Sequence, residues 1–93
     1  MKTIRTILCC CGSGLGSSMI VSMNTERALS SLGINGVSVD HTTVSEVNVN
    51  SADLFVVGKD LGYVFKDYPR VIVLDELMNM NELTAKLKDQ FAA

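Results

Sequence analysis

The stretch that decides the fold is Thr3-Ile4-Arg5-Thr6-Ile7-Leu8-Cys9-Cys10-Cys11-Gly12-Ser13-Gly14-Leu15-Gly16-Ser17-Ser18. Its first part, Thr3 to Cys10, is a compact apolar run with β-branched residues and reads as a buried first strand that stops at Gly12. Gly14 and Gly16 forbid a strand and mark a turn that needs unusual dihedrals or close backbone approach. From Ser17 to about Leu32 nothing breaks a helix. Ser17 or Ser18 can cap it, and Gly33 ends it.

Outward from this unit the chain repeats the alternation. Gly36 to His41 alternates like a strand. Leu54 to Val57 follows a polar stretch and halts at Gly58, and Val71 to Leu74 follows Pro69. Both are short and apolar on both faces, as interior parallel strands are. A last helix is marked by Asn79 with Glu82 three residues on, a capping-box pattern, and by Met80, Leu83, Leu87 and Phe91 at helical spacing. Strand, helix, strand, short helical segment, strand, short helix, strand, helix implies right-handed crossovers and a four-stranded parallel sheet. The expected fold is α/β, a flavodoxin-like or phosphatase-loop-like three-layer sandwich with helices on both faces, and residues 1–93 read as one domain.

In the first helix Val21, Ala28 and Leu32 share one face, while Met19, Ile20 and Met23 lie on another. One set must pack on the sheet. Core packing is the expected role of Met19 and Met23; if exposed, they make an adaptable docking surface.

Composition narrows the function. Of the 93 residues 47% are apolar and only 5% aromatic, so a core of Val, Ile, Leu and Met is expected. The net charge of −2 and the scattered Lys and Arg exclude the clustered basic footprint that nucleic acid requires. No apolar run approaches the roughly 18 residues that span a bilayer, and Ile7 to Cys11 is too short for a signal-peptide core. A soluble, cytoplasmic protein is expected, with any membrane role exercised through a partner. The three cysteines are consecutive, which suits no disulfide framework, and with His41 the only histidine a zinc site lacks spaced ligands. No metal or cofactor is expected. A reducing compartment with at least one functional thiol is what remains.

In a sheet of this kind ligands bind beyond the carboxyl ends of the strands, where the strand order reverses, and the loop after the first strand sits there. Glycines let backbone N–H groups converge on an anion, and the helix behind adds unpaired amides and a dipole. The dipole contributes only about 0.3–1 kcal/mol. Each charge-assisted hydrogen bond adds about 1.5–3 kcal/mol, so loop geometry decides affinity. Cys11, at the mouth of the amide ring, is the candidate nucleophile. Gly12, Ser13, Gly14, Leu15, Gly16, Ser17 and Ser18 are the candidate phosphate cradle.

Three known phosphate loops differ from this one in informative ways. A Walker loop ends in Gly-Lys-Ser/Thr, whereas here Gly16-Ser17-Ser18 offers no lysine. A dinucleotide fingerprint needs G-x-G-x-x-G, but Ser17 stands at its last glycine. The cysteine-phosphatase loop, Cys-x5-Arg-Ser/Thr, matches in length from Cys11 to Ser18, with Ser17 in the arginine position. Hydrolysis of a phosphocysteine needs that charge stabilisation. A loop without it should hold the phosphoryl group rather than release it to water. A small cysteine phosphatase, a non-reacting nucleotide- or flavin-binding half-domain and a thiol redox switch stay open beside the carrier.

With Cys11 ending the first strand and the run C-G-S-G-L-G-S-S-M behind it, the chain resembles the IIB components of the bacterial phosphoenolpyruvate-dependent sugar phosphotransferase system. The likeness is to the ascorbate and galactitol types. The resemblance implies that Cys11 takes a phosphoryl group from a phosphohistidine of the IIA component. It then passes the group to the sugar bound by the membrane-embedded IIC component. Lys59, after the third strand, reads more readily as a solvated lysine than as a phosphate ligand. His41 reads as a strand-end histidine with local hydrogen bonding.

Overall fold

The computed structural model describes residues 4–12 and 16–92. It contains strands β1 (Thr6–Cys11), β2 (Ser38–Thr43), β3 (Leu54–Gly58) and β4 (Val71–Leu74), with helices α1 (Gly16–Ser31) and α2 (Met80–Ala92). Two 3₁₀ segments, Val44–Glu46 and Lys59–Phe65, complete the alternation expected from the sequence. The strands form one all-parallel sheet in the order β2-β1-β3-β4. β1 lies nearer the glycine loop than the expected Thr3–Cys10, because it takes in Cys11, whose partner across the ladder is Thr43.

Strand alternation sends successive side chains to opposite faces and so divides the core in two. On one face Ile7, Cys9, Leu54, Val56, Ile72 and Leu74 pack with Val21, Ala28 and Leu29 of α1 and with Leu83 and Leu87 of α2. On the other, Cys10, Phe55, Val57 and Phe65 form a second cluster with Leu61 and Tyr68. The rings of Phe55, Phe65 and Tyr68 lie with centroids 4.7 to 5.8 Å apart. The sequence points to an aliphatic and methionine core, and this face departs from it. Its covering layer consists of 3₁₀ segments, which supply few inward side chains, so large rings fill the space. The methionines go the other way: Met19, Met23 and Met78 are about half exposed.

Local chemistry sets the helix ends. Gly33 takes φ +73°, its amide donates to Ser30 O at 3.1 Å, and the amide of Ile34 donates to Leu29 O at 2.9 Å. This is a Schellman stop, with the apolar Ile34–Leu29 pair that accompanies one. At α2 the Asn79 side chain accepts from the Glu82 amide at 3.1 Å, which is half of the expected capping box. The reciprocal half is replaced, because the Glu82 carboxylate accepts from Asp75 N and Glu76 N instead. At the amino edge of the sheet Asp53 ties β3 to β1. Its carboxylate accepts from the amides of Arg5 and Thr6 at 2.9 and 3.2 Å, and its own amide donates to Thr6 Oγ1 at 3.0 Å.

Candidate functional site

β1 and β3 are neighbours whose onward connections diverge. β1 leads through α1 to β2 on one side, and β3 leads through the Lys59–Phe65 segment to β4 on the other. The carboxyl ends of these two strands therefore bound a crevice, where open parallel sheets take their ligands. A cavity of about 230 Å³ lies there. Cys11, Gly12 and Ser17 border it from the β1–α1 side, and Gly58, Asp60 and Leu61 border it from the β3 side. Leu77, from the β4–α2 loop, closes a third side.

The three cysteines differ sharply in surroundings. Cys9 is fully enclosed, with its Sγ 3.7 Å from Thr25 Oγ1. Burial pushes its thiol up to about 12; the Thr25 hydrogen bond opposes the shift, and the charges of Asp40 and Glu26 add to it. Cys10 also borders the cavity, but its side chain belongs to the aromatic face, and its Sγ donates to Leu8 O at 3.8 Å. Burial, with Cys9 and Cys11 beside it, pushes this thiol up to about 12 as well. Both are held as neutral thiols at physiological pH. Cys11 packs in neither apolar cluster; its Sγ donates to Thr42 O at 3.9 Å where β1 opens onto the cavity.

The rest of the expected cradle is placed as follows. Gly12 and Ser17 line the cavity, and Gly16 is the first residue of α1. Ser13, Gly14 and Leu15 lie outside the described residues. Since α1 begins at Gly16, Ser17 and Ser18 sit inside its first turn rather than at its cap, and Ser18 is buried. That first turn carries no acidic residue, so its amides keep their positive potential. Gly12 and Gly16 do not have positive φ, and a Cβ on either meets no close contact. Unusual dihedrals therefore do not explain these two. Gly58 is the sterically demanding glycine: a Cβ there would lie 2.8 Å from Asp60 Oδ1 and 3.2 Å from Leu77 Cδ2.

Gly58, Asp60, Leu61 and Leu77 also line the cavity, none of them a site residue expected from the sequence. Their position just beyond the ends of β3 and β4 was the available signal, since that edge is where β1 delivers Cys11. Lys59 is exposed and borders a neighbouring depression with Asp75 and Glu76, outside the Cys11 cavity. His41 lies on β2 beside Cys9, with its Nδ1 buried. Among the described residues no lysine or arginine lines the Cys11 cavity. No group of described His, Cys, Asp and Glu side chains is arranged to hold a metal ion.

A four-stranded parallel sheet with a cavity at its switch point places the chain among the small open-sheet α/β domains, which take their ligands at that edge. Within that class, the family model described as PTS system, Lactose/Cellobiose specific IIB subunit matches residues 6–89, and the chain belongs to this family. A search of curated proteins finds no match. The IIB subunit is a phosphotransferase component, a phosphocarrier that takes a phosphoryl group from IIA and transfers it to the sugar by way of IIC. Among the described residues no helix is long and apolar enough to cross a membrane.

Proposed function

We propose that Cys11 is the residue that carries the phosphoryl group, with Gly12 through Ser18 as its cradle. In the first step the Cys11 thiol gives up its proton and its sulfur attacks phosphorus; the S–P bond forms, the N–P bond to the IIA histidine breaks, and the departing imidazole nitrogen takes up a proton. In the second a sugar hydroxyl attacks, the O–P bond forms, its proton is released, and the thiolate leaves. The first-turn amides of α1 stabilise the equatorial oxygens in both displacements. The observation that carries the assignment is the position of Cys11, the cysteine that leaves β1 at the switch point beside that turn. The absence of a cation among the described cavity residues suits a carrier better than a phosphatase.

We further propose that residues 1–93 act as one cytoplasmic IIB domain. The run C-G-S-G-L-G-S-S-M favours the ascorbate and galactitol type within the family. Incubation with phosphorylated IIA followed by intact-protein mass spectrometry tests the acceptor. Cys11→Ser should lose the phosphoryl adduct, while Cys9→Ser and Cys10→Ser retain it. An adduct that persists in Cys11→Ser overturns the assignment.

A further inference from the structure

We propose that Glu82 is a positioning residue for the Cys11 site, fixing the β4–α2 loop so that Leu77 walls the cavity against water. The proposal takes its functional meaning from the reading of Cys11 as phosphoryl acceptor. Both oxygens of the Glu82 carboxylate are committed to the loop. Oε2 accepts from the Asp75 amide at 2.8 Å, and Oε1 accepts from the Glu76 amide at 3.1 Å. Lys86 Nζ donates to Oε2 at 2.8 Å and to Val73 O at 2.7 Å, which ties the carboxylate to the end of β4. Asn79 holds the Glu82 backbone from the other side. The Glu82 side chain is 14% exposed, lying under the surface residues Asp75 and Glu76 whose amides it holds.

Leu77 follows directly on the two clamped amides. Its side chain rests against the end of β3, where Gly58 leaves just enough room, and borders the cavity that holds Cys11. Hydrolysis of a phosphocysteine requires a water oxygen to reach phosphorus as the S–P bond breaks. An apolar wall that cannot hydrogen-bond that water denies it a site. A glutamine at position 82 accepts from one loop amide and turns its NH₂ toward the other donor, so the clamp opens while the helix stays intact.

The test is iodoacetamide alkylation at neutral pH of the wild-type chain, Glu82→Gln, Leu77→Ala and the double variant. Rates at Cys9, Cys10 and Cys11 are read separately by tandem mass spectrometry. Both single variants should speed alkylation of Cys11 by roughly three- to tenfold through local opening, with Cys9 and Cys10 unchanged. The double variant should go no faster than Leu77→Ala alone, because Glu82 acts through Leu77. An unchanged Cys11 rate in either single variant overturns the proposal, as does equal acceleration at all three cysteines in Glu82→Gln. Failure of the wild-type chain to accept phosphate at Cys11, with this alkylation pattern intact, defeats the carrier assignment and leaves the clamp standing.

Discussion

Cys9 and Cys11 share one face of β1, two residues apart, yet Cys9 is sealed against Thr25 with its Sγ 3.7 Å from the hydroxyl, whereas Cys11 borders the cavity at the sheet edge. Two residues along the strand thus separate a structural thiol from a candidate reactive one. All three cysteines are buried, and surroundings make the difference: Cys11 packs in neither apolar cluster and borders the cavity, whereas a Cys9 thiolate in the apolar interior would lack the solvation that ionisation requires.

That contrast has a consequence at alkaline pH. The Cys9 and Cys10 thiols rise from 9.0 to about 12 in the fold. Between those values the unfolded chain has lost protons that the native chain keeps, so the unfolded state binds fewer, and stability falls as pH rises through the window. The urea midpoint should therefore drop more steeply above pH 9 in the wild type than in Cys9→Ala, which lacks one of the two titrating thiols. Parallel curves for the two proteins would show that Cys9 ionises as freely in the fold as out of it.

Glu82 has the opposite sign. The Lys86 ammonium, followed by the amides of Asp75 and Glu76, lowers its carboxyl from 4.5 to about 2. The contribution is complete above pH 4.5 and is lost as pH falls toward 2, where the native carboxylate takes up its proton. Wild type and Glu82→Gln should differ in urea midpoint at neutral pH and converge on acidification across that range. A difference that stays constant down to the acid limit would mean that the charge of Glu82 does not matter to the loop.

Asp53 fixes the register between β1 and β3 at the edge opposite the site. Its carboxylate accepts from two backbone amides and from Thr6 Oγ1 at 3.3 Å. Removing a charged acceptor and leaving its donors to water costs about 1.5–3 kcal/mol. Asp53→Ala should lower the unfolding free energy by roughly that amount in urea titration while Cys11 still takes phosphate. A loss of phosphate acceptance out of proportion to the stability change would place Asp53 in the site's support.

The elements were legible because each signal was local. Gly33 and Asn79 act within a few residues of themselves, while three short apolar runs and the alternating Gly36–His41 read as strands from their own composition and length. Alternation implied a parallel sheet with right-handed crossovers, but the order β2-β1-β3-β4 around Cys11 came only with the structure. The far wall of the cavity was not legible, since Asp60, Leu61 and Leu77 reach it through β3 and β4, some 50 or more residues along the chain. Their residue types do not mark them; only their place just beyond the ends of β3 and β4 does. The aromatic face was hidden for a similar reason: Phe55, Phe65 and Tyr68 meet only because short 3₁₀ turns leave space above the sheet. The exposure of Met19, Ile20 and Met23 was half legible, as the helix period separated them from Val21 and Ala28 without saying which stripe faced out.

That stripe now carries a prediction of its own. Met19, Ile20 and Met23 are 47%, 47% and 48% exposed on the first turns of α1, the helix whose Ser17 borders the cavity proposed to take the phosphoryl group. Flexible thioethers suit a surface that must fit a partner. The double substitution Met19→Gln and Met23→Gln should leave stability within about 0.5 kcal/mol. It should slow phosphoryl transfer from limiting phosphorylated IIA by roughly tenfold, the equivalent of ~1.4 kcal/mol of docking energy. An unchanged transfer rate would remove this face from the donor interface.

Asp60 places a carboxylate on the rim of the cavity that holds Cys11, and no lysine or arginine among the described residues lines the cavity to offset it. A phosphoryl group on the Cys11 sulfur, as proposed, adds negative charge to a cavity that this exposed carboxylate also borders, and like charges repel, the more so at low salt. On the proposed assignment of Cys11, such repulsion would raise the energy of the phosphorylated form relative to the free one and so favour onward transfer. Asp60→Asn keeps the shape and removes the charge. At equilibrium with limiting phosphorylated IIA, the variant should hold a larger phosphorylated fraction than the wild type, by about three- to tenfold in the equilibrium constant, with the gain shrinking as salt is added. Quantitative mass spectrometry of the two proteins in the same mixture reads this ratio directly. A ratio of one at low salt would mean that Asp60 points its charge away from the phosphoryl site.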